Sequence, residues 1–232
     1  MTKVAIIQSN YIPWKGYFDI INDSDIFIFL DDVQYTTRDW RNRNKIKTPQ
    51  GLKWLSIPVG NDTKRLICDV VIEDPSWSHN HWQTIKFFYG KSPYFSLYED
   101  FFKEIYCSKN WTKLSKLNQY LIENISTEIL GIKNTKFISS EELKSQGRKD
   151  EKLVSLLKSV QGNTYISGPA AMDYINNNLF ETNNIKLIYK DYSNYPEYEQ
   201  FHPPFEHGVS ILDLIFQKGP DAPYYIWGWR EV

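Results

Sequence analysis

Two short apolar runs, Val4 to Ile7 and Ile26 to Leu30, flank a turn at Pro13 and a helical stretch from Lys15 to Asn22. Runs of four or five apolar residues bounded by polar turns suit buried strands. Two such strands joined through a helix form a βαβ unit, since parallel neighbours need a crossover rather than a hairpin. The unit predicts a parallel sheet with helices on its faces. The alternation returns in the last third. Lys152 to Val160 reads as an amphipathic helix and Thr164 to Ile166 as a strand. Ser167-Gly168-Pro169 opens a helix to Ile175, and Ile185 to Tyr189 is another strand. A final helix, Val209 to Phe216, is stopped by Gly219 and Pro220.

Between these ends the pattern changes. Asn44 to Thr48, the turn Pro49-Gln50-Gly51 and Leu52 to Val59 read as a β-hairpin, and Leu66 to Ile72 is β-rich. From Trp77 to Gly131 apolar residues recur at helical spacing: Trp82, Ile85 and Tyr89, then Phe95, Phe102 and Ile105, then Leu114, Leu117 and Leu121. Lys136 to Ile138 is a short strand. The expected architecture is a single domain over residues 1–232, an α/β fold with a Rossmann-like parallel sheet, a β-hairpin and a helical insertion. Residues 1–76 and 132–232 would form the α/β core and residues 77–131 the insertion.

Aromatic residues make up 16% of the chain, so a fold nearly throughout is expected, with rings to spare for stacking on a planar or sugar-like ligand. A formal net charge of -1 argues against nucleic acid as a partner. Two cysteines, Cys68 and Cys107, make neither a disulfide framework nor a metal ligand set, and the histidines lack zinc-motif spacing. No apolar run suits a signal peptide or a membrane span, and a cytoplasmic protein is expected.

Ligands of open parallel sheets bind outside the carboxyl ends of the strands, which directs attention to the residues after each strand. Gln8, Asn10, Tyr11, Trp14, Lys15 and Tyr17 occupy the first such turn. Amides there can read sugar hydroxyls and rings can stack; a turn with Trp14 and Tyr17 in the core is the structural alternative. Asp31, Asp32, Gln34 and Tyr35 follow the second strand. Adjacent strand side chains point oppositely, so one aspartate is structural while the other acts as general base, binds hydroxyls or pairs with an arginine. Residues 38 to 53 then carry six Lys or Arg and one Asp. If extended, Arg41, Arg43, Lys45 and Lys47 share one face, interleaved with Trp40, Asn42 and Asn44. That row suits a pyrophosphate, and the interleaved polar and aromatic residues favour this reading over a solvated edge strand. Ser167 and Gly168 make a second anion-accepting corner, over which Tyr198 and Gln200 would close. His81, beside Trp77 and Trp82, is the histidine best placed for proton transfer, against a purely structural role. The strand tips and the cationic ribbon are expected to converge on one cleft.

The segments QSNYIPWKGYFDII, SDIFIFLDDVQYTTRDWRNRNKI, YISGPAAMDYI and VSILDLIFQKG resemble the WbqC-like family over nearly the whole chain. The resemblance implies a place in bacterial O-antigen and other surface-glycan gene clusters. An activity that fits is acyl or aminoacyl transfer to the amino group of a nucleotide-linked sugar, with Asp32 or His81 taking the proton. The partners would be that sugar and a small acyl or aminoacyl donor, with no cofactor specified. The alternatives are a non-catalytic nucleotide-sugar scaffold and an ATP-dependent ligase. The last follows from a weaker similarity of Pro13-Trp14-Lys15-Gly16-Tyr17 to the class I nucleotidyltransferase superfamily, whose His-x-Gly-His motif is missing here.

Overall fold

A computed structural model describes residues 1–231. Strand β1 (Lys3–Ile7), helix α1 (Lys15–Asn22) and strand β2 (Ile26–Phe29) make the expected βαβ unit, with Val4 opposite Ile26 and Ile7 opposite Phe29 in parallel register. Strands β5 (Lys136–Ser139), β6 (Thr164–Ser167) and β7 (Lys186–Tyr189) complete a five-stranded parallel sheet in the order β5-β2-β1-β6-β7. The chain builds outward from β1 to β5, then returns to the other side of β1 to lay down β6. That reversal is a topological switch point, and it opens a crevice beyond the carboxyl ends of β1 and β6.

The sheet is covered on both faces, which is why its strands read as unbroken apolar runs. Ala5, Phe27, Phe29 and Ile166 face one core, which they share with Phe18, Ile20 and Ile21 of α1. Val4, Ile6, Ile28 and Tyr165 face the other, against helices α5 (Asp150–Ser159) and α6 (Asn177–Thr182). Phe27 is fully buried and packs against Phe29, Tyr17 and Phe137. Its truncation to alanine would cost about 3–5 kcal/mol.

Helices α2 (Trp77–Tyr89), α3 (Phe95–Lys103) and α4 (Leu114–Asn124) extend the first core, and a π-helical turn prolongs each of the last two, over Glu104–Ser108 and Ile125–Ile129. Helix α7 (Ile211–Lys218), N-capped by Ser210, sets Phe216 among Tyr89, Phe95 and Phe102 of this layer and ends at Gly219 with φ +52°. The hairpin of β3 (Arg43–Thr48) and β4 (Gly51–Ser56) forms a separate antiparallel pair, turned at Gly51 with φ +102°. The expectation for Leu66–Ile72 is corrected. It holds a single 3-10 turn, Ile67–Asp69, between isolated bridges Gln34–Leu66 and Val71–Lys113, because no continuous strand edge lies beside it. The Pro169 helix is likewise only a 3-10 segment, Pro169–Asp173. Among the described residues no helix is long and apolar enough to cross a membrane.

Candidate functional site

A cavity of about 790 Å³ fills the switch-point crevice. Its floor is the end of β1 with Gln8 and the end of β6 with Ser167 and Gly168; its walls include Trp14, Tyr17, Tyr174 and Tyr192. Lys149, Asp150 and Lys152, at the start of α5, border it. Tyr17 is held by its hydroxyl, which donates to the Gln8 carbonyl at 2.9 Å. Trp14 packs edge-on against Tyr192, ring centroids 5.1 Å apart, and lies over Gly16. A methyl group at residue 16 would overlap the indole, so glycine there gives the ring its position.

Gly168 has a different meaning. Its backbone is extended (φ -71°, ψ 157°), which any residue adopts, and a Cβ there would meet only the Tyr192 hydroxyl, at 3.9 Å. Neither conformation nor packing calls for glycine. What its missing side chain does is keep the cavity floor clear, the arrangement needed where a ligand approaches backbone closely.

Asp32 does not line the cavity itself but pairs with Lys152, which does. Its carboxylate accepts from Lys152 Nζ at 2.6 Å and from Ser140 Oγ at 2.5 Å, and so fixes the lysine that borders the cavity. Asp31 is the structural partner of the pair. It is fully buried and takes the Ser9 backbone N–H at 2.9 Å and Gln119 Nε2 at 2.8 Å, tying the turn after β1 to the end of β2. Burial raises its pKa, opposed by those bonds. A substrate-binding role for Asp31 is thereby corrected.

The ribbon does not form a row facing the cavity. Arg41 donates to Asn10 Oδ1 at 2.7 Å and pairs with Asp39 at 3.3 Å. Arg43 stacks over Trp54 at 4.2 Å, and Lys45 lies 5.1 Å from the same ring. Lys47 is buried, its Nζ donating to the Pro204 carbonyl and its backbone N–H to Tyr89 Oη. Asn42 donates to the Ile57 carbonyl, and Asn44 braces the turn through the carbonyls of Tyr11 and Ile12. Gln34 is exposed and donates to Thr63, while Tyr35 is buried beneath Arg65. Lys15 is buried against Tyr195 at 4.7 Å, and that burial brings its pKa down to about 8 against the pull of Asp19 and Glu197. The single cleft expected for these segments is corrected: Gln8 lines the larger cavity, Asn10 a smaller one with Trp40 and Asn44, Trp14 lines both, and Arg43 lines neither.

His81 is corrected as well. It is buried beside Trp77, and both ring nitrogens are engaged, Nδ1 with Tyr11 Oη at 2.8 Å and Nε2 with the Ser56 carbonyl at 3.2 Å. A carbonyl only accepts, so Nε2 carries the proton, Nδ1 accepts from Tyr11, and Tyr106 donates to Tyr11 at 2.7 Å. Burial lowers the His81 pKa to about 4, and the chain of bonds leaves it no free nitrogen for a substrate. Tyr11 is thus a core residue. Tyr198 and Gln200 do not close over Ser167 either; both donate to the buried Asp213 of α7, at 2.8 and 2.9 Å, joined by Tyr89 at 3.0 Å.

The structure therefore brings Gln8, Trp14, Tyr17, Ser167 and Gly168 together and adds Lys149, Lys152 and Tyr192, which sequence reasoning missed. The signal for the lysines lay in where α5 begins. Periodicity starts it at Lys152, whereas it starts at Asp150, so both lysines fall at its mouth. Among the described residues no group of three or more His, Cys, Asp or Glu side chains is placed to hold a metal ion.

A doubly wound sheet with a cavity at its switch point defines an α/β protein of the Rossmann-like kind, the class in which such crevices hold ligands. Comparison with known proteins makes this specific: residues 8–225 match the WbqC-like protein family, and the chain belongs to it. It is also 41% identical over 228 residues to an uncharacterized protein of Mycobacterium tuberculosis, Rv1507c, covering 97% of this chain and 98% of that one. No solved structure matches the chain.

Proposed function

We propose that the protein is an enzyme of bacterial surface-polysaccharide (O-antigen) biosynthesis, which forms an amide by acyl or aminoacyl transfer to a nucleotide-linked amino sugar held in the larger cavity. The observation that carries this reading is the cavity floor at Gly168, cleared of side chain without any need of the fold, between aromatic walls and two lysines. Lys149 and Lys152 would take the diphosphate, Trp14 the base or sugar face, and Gln8 and Ser167 the hydroxyls, while Tyr17 is buried behind them as a core residue. The sugar amine attacks the donor carbonyl. A C–N bond forms, the bond to the donor's leaving group breaks with its electron pair, and the amine proton passes by way of Asp32 to that leaving group. With His81 enclosed, Asp32 is the one left of the two bases that the sequence singled out.

The pairing of Asp32 with Lys152 and Ser140 favours a second reading, in which the cavity holds the nucleotide-sugar without converting it. Incubation with nucleotide-linked amino sugars and a range of acyl and aminoacyl donors, read by mass spectrometry, separates the two. Transfer predicts an N-acylated sugar, lost in Asp32→Asn. Binding without product in every combination leaves the scaffold reading.

A further inference from the structure

The smaller cavity, about 330 Å³, is lined by Asn10, Pro13, Trp14, Trp40, Asn44 and Gly208. It lies at the small end of ligand-pocket sizes, enough for one ring. None of its lining residues carries a charge, and the nearby Arg41 and Lys45 are engaged with Asn10 and with the Trp40 and Trp54 rings. Two indoles and a proline give flat apolar faces, and Asn10, its Oδ1 already taken by Arg41, has its Nδ2 to offer. Flat C–H faces bordered by hydroxyls are what such a surface complements, and those are the features of a pyranose.

The aromatic surface continues outside. Trp40 and Trp54 are 43% and 41% exposed, with ring centroids 5.5 Å apart and planes inclined at 38°. Arg43 and Lys45 pack over Trp54, and Lys45 lies 5.9 Å from Trp40, so cation–π contacts help to fix both rings. Large rings left in water but fixed in orientation form a preorganised step leading out of the cavity.

We infer that the smaller cavity and the Trp40–Trp54 step form a second binding site, for a neutral oligosaccharide, with one sugar ring in the cavity and the next on the step. This inference does not depend on what the larger cavity binds. Ligand-observed NMR with neutral di- and trisaccharides of glucose, mannose and N-acetylglucosamine, up to about 10 mM, tests it on the full chain. Saturable binding of at least one sugar is expected, weakened about tenfold by Trp40→Ala and about threefold by Trp54→Ala. Gly168→Val, which obstructs only the larger cavity, should leave this binding unchanged. Thermal melting of both tryptophan variants should match that of the parent protein, as the exposure of the rings implies. No saturable binding by any of these sugars overturns the inference, as does full binding by Trp40→Ala, or loss of binding in Gly168→Val. Failure of nucleotide-sugars to bind while neutral sugars do would sink only the reading of the larger cavity.

Discussion

The ribbon from Arg41 to Lys47 and the first turn of α5 both present cations, and the fold uses them in opposite ways. In the ribbon every positive side chain meets a partner from the protein itself: Asn10 and Asp39, the Trp54 ring, or the Pro204 carbonyl. At the start of α5 there are only two lysines, yet both border the large cavity, one steadied by Asp32. Density of charge along a chain measures how much binding capacity is present. Availability depends on which groups tertiary packing brings against it.

The two candidate bases repeat the contrast, and His81 offers the largest test. A histidine with a pKa of about 4 in the folded state and about 6.5 in the unfolded state binds fewer protons when folded. Stability from this group is complete above pH 6.5 and is lost as pH falls towards 4, by about 3 kcal/mol in total. Denaturant titrations at pH 7, 5.5 and 4.5 should show that loss, and His81→Gln should flatten it. An equal slope in the variant would mean that His81 titrates freely, which breaks the contrast.

Next in size is Gly168→Val. Nucleotide-sugar affinity should fall about 100-fold, equivalent to about 2.7 kcal/mol, with an unchanged melting temperature. A drop in melting temperature would show that the fold does need glycine there. Lys152→Ala should weaken the same binding about tenfold, the scale of one charged hydrogen bond, as calorimetry can read. The smallest effect belongs to Arg43→Ala. It removes a partly exposed cation–π contact worth about 1 kcal/mol and should leave nucleotide-sugar affinity untouched. Strong loss of affinity in that variant would restore the ribbon as the phosphate site.

The sheet was legible because strands covered on both faces carry their own signature, as IFIF in β2 does. The larger cavity was legible in part for a topological reason: Gln8, Trp14, Ser167 and Gly168 all lie at or after strand ends, and the rule that ligands gather there needs no coordinates. The fate of the ribbon was not. Trp54 arrives through hairpin register and Pro204 from a loop 157 residues away, and neither pairing leaves a local trace. Alternation alone predicts that Asp31 and Asp32 play different parts, one of them structural. Which was which depended on Gln119 and Lys152, both far along the chain.

Trp14 is a party wall. The indole that bounds the switch-point cavity also bounds the smaller one, and it rests flat on Gly16 like a plate. A guest that tilts this plate reshapes the room next door, and thermodynamic reciprocity requires each occupant to change the other's affinity by the same factor. Substituting Gly16 would disturb both tenants at once.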